Sequence, residues 1–270
     1  MTDTHRSRRL IAVLGAEPGV GSLERIVGLA ERLRCEIHAA FLEDLALLWS
    51  AALPFTRWVG ISGASEPAFE PAAVRRALRL MAEDARLRLA ELARGRRLHC
   101  SFTFLAVGEL VSLVGERDFL LLTAARAAQL AALPRPPAFP ASLPVVLLGT
   151  SRGPLLLVYA GDPRVLELAR DIARGSGGEI LLLALAADPE TARDRLREAR
   201  AALDDLPIGG DVAATFDGDP LKRLPPDLIQ RGVGLAILDG AAAGRLLAAV
   251  AELAHGPRVR SAIGDGNRPQ

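Results

Sequence analysis

The first half of the chain alternates short apolar runs with segments of helical periodicity. The run "RLIAVLG" (residues 9–15) predicts a buried strand, and Ser22 then stands where the N-cap of a helix is expected. The apolar face of that helix is formed by Leu23, Ile26, Val27, Ala30 and Leu33. The later segments predict a second strand, a long amphipathic helix that begins at a proline, and three more strands: "EIHAAFLED", "PAAVRRALRLMAEDARLRLAELARGRR", "LHCSFTFLAV", "RDFLLLTA" and "VVLLG".

The second half repeats this order. "GPLLLVYAG" predicts its first strand, and Asp162 with Pro163 predict the N-cap and first turn of the next helix. "SGG" (residues 176–178) predicts the end of that helix, because glycine readily takes the left-handed conformation of a helix terminus. The remaining elements are a strand, a helix and three strands: "EILLLALAAD", "PETARDRLREARAALDDL", "DVAATF", "VGLAILDG" and a short "PRVRSAIG".

Strand–helix alternation that occurs twice predicts an α/β protein with two flavodoxin-like domains. Parallel strands need helical crossovers, and these helices cover both faces of a sheet. A repeat of about one domain length indicates two copies, with the boundary near residue 150 after the proline-rich "LPRPPAFPASLP". We therefore expect domain 1 over residues 1–150, domain 2 over residues 151–264 and a disordered tail over residues 265–270.

Composition argues against several partners and compartments. The chain has 270 residues with a formal net charge of +1, so its overall charge favours neither nucleic acid nor an anionic membrane. The apolar run after the basic "THRSRR" is too short for a signal peptide, and no segment predicts a membrane span. Two cysteines, Cys35 and Cys100, without a secretion signal indicate reduced thiols, so we expect a cytoplasmic protein.

The loop after the first strand raises the question of phosphate binding. "GAEPGVGS" (residues 15–22) has the glycines and the final serine of G-x-x-x-x-G-K-[ST], but no lysine precedes Ser22. The only lysine of the chain is Lys222, so the group that reaches the β- and γ-phosphates is missing from this loop. We interpret the stretch as a tight turn; weak anion binding at the helix start is the alternative.

The segment "FDGDPLKRLPPDLIQRGVGLAILDG" (residues 216–240) resembles the universal stress protein family. In that family a strand ends in Gly-Asp-Pro, a short helix follows, and an apolar strand ends in glycine. "LAVGELVSLVGERDFLLLTA" in the first half is a weaker version. The resemblance covers the whole chain except its ends and implies a tandem protein. Each half would be an open five-stranded parallel sheet of the adenine-nucleotide-hydrolase-like type, with the two halves related by a pseudo-twofold axis.

The same resemblance implies where ATP would bind. Members of the family that bind ATP carry an aspartate just after strand one and G-x2-G-x9-G-[ST] after strand four. The first half has no glycine between residues 116 and 148. In the second half the candidate cofactor-binding residues are Gly161, Asp162, Gly240, Gly244 and Gly256. The glycine spacings are three and eleven, and Pro257 replaces the hydroxyl residue, so we expect no bound cofactor, with ATP as the open possibility.

The family also implies how the two halves join. Its fifth strands pair antiparallel across a dimer, so a tandem chain would form this pairing internally, between "VVLLG" and "RVRSAIG". The protein would then be an internal pseudo-dimer, which leaves further homo-oligomerisation open.

The long connection over residues 44–71 is the most distinctive part of the sequence. It is too long for a simple loop and carries both tryptophans. Trp49, Leu53, Phe55 and Trp58 form a candidate lid or protein-partner surface, or else complete the core.

Two other residue patterns indicate structure rather than chemistry. Cys35 with His38, and His99 with Cys100, alternate between the faces of their strands, so they do not converge as a zinc site and no metal is expected. The long helix and its end carry a stripe of arginines interleaved with acidic residues, which favours a solvated, salt-bridged face over nucleic-acid binding.

Two functions are compatible with these observations. The first is a non-catalytic, universal stress protein-like regulatory protein with degenerate nucleotide sites and an unknown protein partner. The second is an ATP-binding stress sensor or slow ATPase that uses the second-half glycines. No catalytic residue is assigned in either case.

Overall fold

The structure is organised around one long, mostly parallel β-sheet. The computed structural model describes residues 8–15, 19–43, 57–59, 65–68, 71–134, 136–149, 153–217, 220–224 and 232–254. The strands of the sheet are β1 (Arg9–Leu14), β2 (Glu36–Leu42), β5 (Cys100–Leu105), β6 (Phe119–Thr123), β7 (Val145–Leu148), β8 (Leu155–Tyr159), β9 (Ile180–Ala186), β10 (Ile208–Thr215) and β11 (Leu235–Leu238). A separate antiparallel ribbon is formed by β3 (Arg57–Val59) and β4 (Ser65–Ala68).

Seven α-helices are described. Their bounds are α1 (Val20–Leu33), α2 (Pro71–Gly95), α3 (Leu110–Leu113), α4 (Ala124–Ala131), α5 (Pro163–Ser176), α6 (Pro189–Ala202) and α7 (Gly240–Ala254). Two short 3-10 helices cover Val107–Glu109 and Pro220–Arg223. No described helix has the length and apolar character needed to cross a lipid bilayer.

The strand order repeats along the sheet. The full order is β10-β9-β8-β11-β7-β6-β1-β2-β5. In each half the first four sheet strands therefore follow the same arrangement, with the third, second, first and fourth side by side. All neighbours are parallel except β7 and β11, which pair antiparallel from Leu148 with Leu235 to Val145 with Leu238.

This antiparallel ladder joins the halves edge to edge, so that the described strands β1, β2 and β5 to β11 form one nine-stranded sheet. It also corrects one expectation. The expected pairing of "VVLLG" with "RVRSAIG" is wrong: β7 has β6 on one side and β11 on the other, so both of its edges are occupied. The short "RVRSAIG" strand and the tail 265–270 lie outside the described residues.

Helices cover both faces of the sheet, as the apolar runs predict. One face packs against the buried sides of α1, α2, α5 and α6. The other packs against the segment 107–113, α4 and α7. The central strands β1, β8 and β9 are almost wholly apolar because both of their faces are covered, which is the usual state of a parallel sheet.

Helix ends follow local sequence signals in most places. Asp162 caps α5 by accepting from the Arg164 N–H, with Pro163 in the first turn, and Gly177 ends the helix in the left-handed conformation at φ 62°. These expectations are confirmed. The expected cap at Ser22 is wrong: α1 begins at Val20 after Gly19, whose carbonyl accepts from the Ser22 N–H, so Ser22 lies inside the first turn.

Side chains also tie the two halves together. Arg25 of α1 donates to the carbonyl oxygens of Gly149, just after β7, and Gly234, just before β11, the latter at 2.8 Å. Arg8 forms a 3.3 Å ion pair with Asp171 of α5. Each half therefore contributes polar and apolar contacts to the other.

Candidate functional site

The candidate site lies at the carboxyl ends of the parallel strands. In open α/β sheets, ligands bind where neighbouring strands send their connections to opposite sides. This sheet has two such positions, one between β1 and β6 and one between β8 and β11. We call them the first crevice and the second crevice.

The first crevice holds the guanidinium group of Arg126. Thr123 caps α4 directly after β6, and Arg126 lies in the first turn with only 6% of its surface exposed. Its Nη2 donates to the carbonyl oxygen of Leu14 at 3.0 Å and to that of Leu42 at 3.5 Å. Leu14 and Leu42 are the last residues of β1 and β2, so the guanidinium supplies donors to the ends of two neighbouring strands.

The surroundings of Arg126 fix its position. Its Nη1 donates to Oε1 of Gln129, one turn further along α4, at 2.9 Å. Gly15 lies directly against the guanidinium, where a β-carbon would collide with it. The first crevice is therefore filled by a buried cation of the chain itself.

The second crevice holds a carboxylate instead. Asp239 follows β11 and is 1% exposed. Its Oδ1 accepts from the Ala242 N–H at 2.8 Å, and its Oδ2 accepts from the Ala160 N–H at 2.6 Å. Burial raises the pKa of this carboxyl, and Asp162 nearby raises it further. Asp239 thus caps α7 and joins the ends of β8 and β11, using backbone donors of the kind that bind phosphate in other proteins.

The linker before β7 closes the second crevice from outside. The Gly240 N–H donates to the carbonyl oxygen of Ala141 at 3.1 Å, and the Gly240 Cα lies against the carbonyl oxygen of Pro140, with no room for a β-carbon. Gly240, the first residue of α7, is therefore buried against the linker.

The other predicted cofactor-binding residues have separate environments. Gly161 takes φ +118° beside the Arg195 guanidinium, and Asp162 pairs with Arg164 at 2.9 Å besides capping α5. Gly244 is exposed on α7 with open space around its Cα. Gly256 lies outside the described residues. The structure thus gathers Gly161, Asp162 and Gly240 near one sheet edge and leaves Gly244 on the outside of a helix.

The tryptophan segment lies largely beyond what the structure describes. Trp49, Leu53 and Phe55 are outside the described residues, and Trp58 belongs to β3, of which only the backbone is described. Its role as a lid or partner surface stays a prediction.

Cys35 and His38 lie in separate environments in the described part of the chain. Cys35 is buried, and burial raises the pKa of its thiol to about 12. The His38 ring lies between two hydroxyls, 2.8 Å from Ser101 Oγ and 3.1 Å from Thr103 Oγ1, and burial lowers its pKa. Within the described ranges, no three His, Cys, Asp or Glu side chains come close enough to hold a metal ion.

Arg126 and Asp239, the two side chains in the crevices, were not predicted from the sequence as site residues. Asp239 could have been found, because an aspartate between an apolar strand and an alanine-rich helix is a standard N-cap signal. Arg126 could not, because its carbonyl partners Leu14 and Leu42 lie far away in sequence and meet it only through the strand order.

Comparison with known proteins gives matches to solved structures alone. No protein-family model and no curated protein matches the chain. A universal stress protein from Archaeoglobus fulgidus DSM 4304 is 12% identical, with a TM-score of 0.48 over 85% of this chain and 95% of that chain. A protein of Pseudomonas aeruginosa UCBPP-PA14 assigned to the universal stress proteins is 16% identical, with a TM-score of 0.42 over 93% and 91%. The cytoplasmic domain of a prokaryotic cation chloride cotransporter is 10% identical, with a TM-score of 0.35 over 90% and 99%. All three TM-scores lie below one half, so they assign this chain to no family.

Proposed function

We propose that this chain is a non-catalytic, universal stress protein-like regulatory protein whose two nucleotide positions are closed by its own side chains. The observation that carries the proposal is the occupation of both crevices, by Arg126 in the first and by Asp239 in the second. A nucleotide in the second crevice would have to displace Asp239, because its two carboxyl oxygens already accept from the Ala160 and Ala242 N–H groups that phosphate would use.

The proposal includes the tandem organisation, with one unit over residues 1–150 and another over residues 151–264, related by a pseudo-twofold axis. It is supported by the repeated strand order on either side of the β7–β11 ladder. The proposal also includes a degenerate nucleotide site after β11. It is supported by Gly240, which is packed against the linker, and by Gly244, which faces away from the sheet. We also propose a cytoplasmic location and a protein partner that contacts Trp49, Leu53, Phe55 and Trp58.

The ATP-sensor alternative needs free backbone donors at the start of α7. There the Ala242 N–H already donates to Asp239, and the Gly240 N–H donates to Ala141. The alternative would therefore require Asp239 and the linker to move before phosphate could bind.

Nucleotide binding by the purified chain tests the proposal. Thermal unfolding is recorded with and without millimolar ATP–Mg²⁺, beside isothermal titration. A ligand at 100 times its dissociation constant would add about 2.7 kcal/mol and shift the midpoint by several degrees. We expect no shift and no titratable heat.

If ATP binding is detected, a matched pair of variants shows whether the second-half glycines are involved. Gly244→Val blocks the second-half glycine pattern at an exposed helical position, and Gly28→Val makes the same change in α1; both glycines have open space around Cα. A midpoint shift with ATP–Mg²⁺ would by itself overturn the proposal in favour of the ATP sensor, and its loss in Gly244→Val but not in Gly28→Val would place the nucleotide at the second-half glycines.

A further inference from the structure

The strand β5 lies at one end of the nine-stranded sheet and carries two hydroxyl side chains on one face. Ser101 and Thr103 alternate with Cys100, Phe102 and Phe104, and those three pack on the face of the sheet that α1 and α2 cover. Among the described strands, β5 pairs with β2 alone. Its place in the sheet therefore depends on its contacts with β2.

One side chain of β2 contacts both hydroxyls. His38 lies opposite Ser101 in the register of β2 and β5, and its half-buried ring reaches along β5 to Thr103. The distances are 2.8 Å from Nδ1 to Ser101 Oγ and 3.1 Å from Nε2 to Thr103 Oγ1. The imidazole thus bridges the two strands in addition to their backbone ladder.

The hydrogen bonds around the ring assign its neutral form. Ser101 Oγ donates to the carbonyl oxygen of Ile37 at 3.4 Å, so it accepts from the His38 Nδ1–H. Nε2 is then the acceptor, and the Thr103 hydroxyl donates to it. A neutral imidazole has one donor nitrogen and one acceptor nitrogen, so this arrangement satisfies both.

A second proton on the ring would break this arrangement. The imidazolium has two donors and no acceptor, so the Thr103 hydroxyl would have to turn its hydrogen away from Nε2. The half-buried ring would also carry a charge out of full contact with water. Both effects favour the neutral form as long as β5 stays in place.

The charged groups near the ring act in opposite directions. Arg9 of β1 disfavours the imidazolium, whereas Asp118, which forms an ion pair with Arg9, favours it. Glu36 precedes His38 by two residues on β2, and it faces the exposed His99 at 3.7 Å. Burial is the largest influence, and together with Arg9 it outweighs Asp118, so the pKa of His38 lies below its ordinary value.

We propose that His38 is a proton-controlled latch on the edge strand β5: the neutral ring holds Ser101 and Thr103, and protonation loosens β5 from β2. When β5 opens, the ring gains water, so the open form binds a proton more readily than the closed form. A proton that binds the open form better shifts the equilibrium toward opening. The proposal does not depend on whether either crevice binds nucleotide.

The sign of the pH effect follows from the lowered pKa of His38. The stabilisation of β5 is fully present above the pKa of an unperturbed histidine, about 6.5, and is lost as pH falls toward the lowered value. Within that window the ratio of open to closed β5 should rise by up to about tenfold for each pH unit. Carboxyl groups of ordinary pKa stay ionised there, because they titrate near pH 4.

Hydrogen-exchange mass spectrometry of the full chain between pH 7.5 and about pH 5 tests the latch. Exchange rates are corrected for the intrinsic pH dependence of amide exchange. Peptides that cover β5 should lose protection as pH falls through the window. Peptides that cover β9 should not, because that strand is wholly apolar and lies in the other half. Protection of β5 that stays constant with pH would overturn the proposal.

A matched pair of variants shows whether His38 is the group responsible. His38→Gln removes the titrating ring and should abolish the pH dependence of β5 protection. His99→Gln makes the same change at an exposed histidine beside β5 and should preserve it. Thermal midpoints at pH 8 verify the folding of both variants. A pH dependence that persists in His38→Gln, or that disappears in His99→Gln, would contradict the latch.

NMR of the ¹⁵N-labelled wild type gives a second test that needs no folded His38 variant. The ring nitrogens should report the Nδ1–H tautomer of neutral His38, and Ser101→Ala should shift the ring toward Nε2–H because it removes the acceptor at Nδ1. The ring should titrate below the ordinary pKa of histidine. An Nε2–H tautomer in the wild type, or a pKa at or above the ordinary value, would overturn the proposal.

Discussion

Arg126 and Asp239 fill equivalent crevices with opposite charges, and each choice follows from the backbone beside it. Arg126 faces the carbonyl oxygens that end β1 and β2, which need donors. Asp239 faces the N–H groups of Ala160 and Ala242, which need an acceptor. A buried backbone polar group without a partner is costly, so each side chain stabilises the fold by satisfying the backbone groups beside it.

The carboxyl of Asp239 should make stability depend on pH. Burial raises its pKa above the unfolded value, so between the two values the folded protein holds a proton that the unfolded chain has released. Its contribution is fully present below the unfolded pKa and is lost as pH rises through the raised pKa. The loss is about 1.4 kcal/mol for each pH unit over which only the folded state keeps the proton.

Urea unfolding of the wild type and Asp239→Asn across the acidic to neutral range measures this effect. The wild type should lose stability relative to the variant as pH increases. Asp188→Asn is the control, because the pKa of that exposed cap is lowered and its trend has the opposite sign. If the free energy of unfolding of the wild type minus that of Asp239→Asn stayed constant or increased with pH, the raised pKa of Asp239 would be contradicted.

The thiol of Cys35 should be unreactive in the folded protein. It is 3% exposed, its pKa is raised to about 12, and its sulfur donates to the Ala30 carbonyl oxygen at 3.7 Å. Since the thiolate is the reactive form, Cys100→Ser protein should not react with a disulfide reagent at pH 8 until urea unfolds it. Cys35→Ser should react measurably before unfolding, because Cys100 is only half-buried. Rapid labelling of native Cys100→Ser would show that Cys35 is accessible.

At the scale of elements, two glycines of α7 should respond oppositely to the same change. Gly244→Ala lies on an exposed helical turn with open space around Cα, and it should add about 0.5–1 kcal/mol to the free energy of unfolding. Gly240→Ala should destabilise by more than 1 kcal/mol, about the size of other overpacking effects, because its β-carbon would meet the Pro140 carbonyl oxygen. Urea unfolding measures the change in the free energy of unfolding for each variant. Equal effects of the two substitutions would mean that the linker does not cover the start of α7.

The elements themselves could be predicted because their signals are local. Uninterrupted apolar runs correctly predicted β1, β8 and β9, and the residues at its termini correctly predicted both ends of α5. The start of α1 was misread because a serine two residues inside the helix offers the same local signal as a cap. Propensity alone does not separate a capping serine from one in the first turn.

The pairing of β7 could not be predicted, because strand partners are decided by competition in three dimensions. The apolar run "VVLLG" is equally compatible with either neighbour, and only the fold shows β11 on its free edge. The same limit applies to the site. The cap signal of Asp239 is local, whereas Arg126 acquires its role only when β1, β2 and α4 converge.

At the scale of the whole molecule, the β7–β11 ladder makes the two halves one structural unit. β7 covers an edge of the second half that would otherwise expose unpaired backbone groups, a common cause of aggregation. Arg25 adds donors to the carbonyls of Gly149 and Gly234 on either side of the ladder. Neither half is therefore expected to keep its stability alone.

Unfolding should accordingly occur in one cooperative step that includes both halves. Hydrogen-exchange mass spectrometry at increasing urea measures this directly, through peptides from β1–β2 in the first half and β8–β9 in the second. We expect both peptides to lose protection at the same urea concentration. Arg25→Met should lower both midpoints together, by about 1 kcal/mol of stability, because it removes hydrogen bonds from the junction. If β8–β9 lost protection while β1–β2 stayed protected, the two halves would unfold independently. The β7–β11 ladder would then contribute little to the stability of either half.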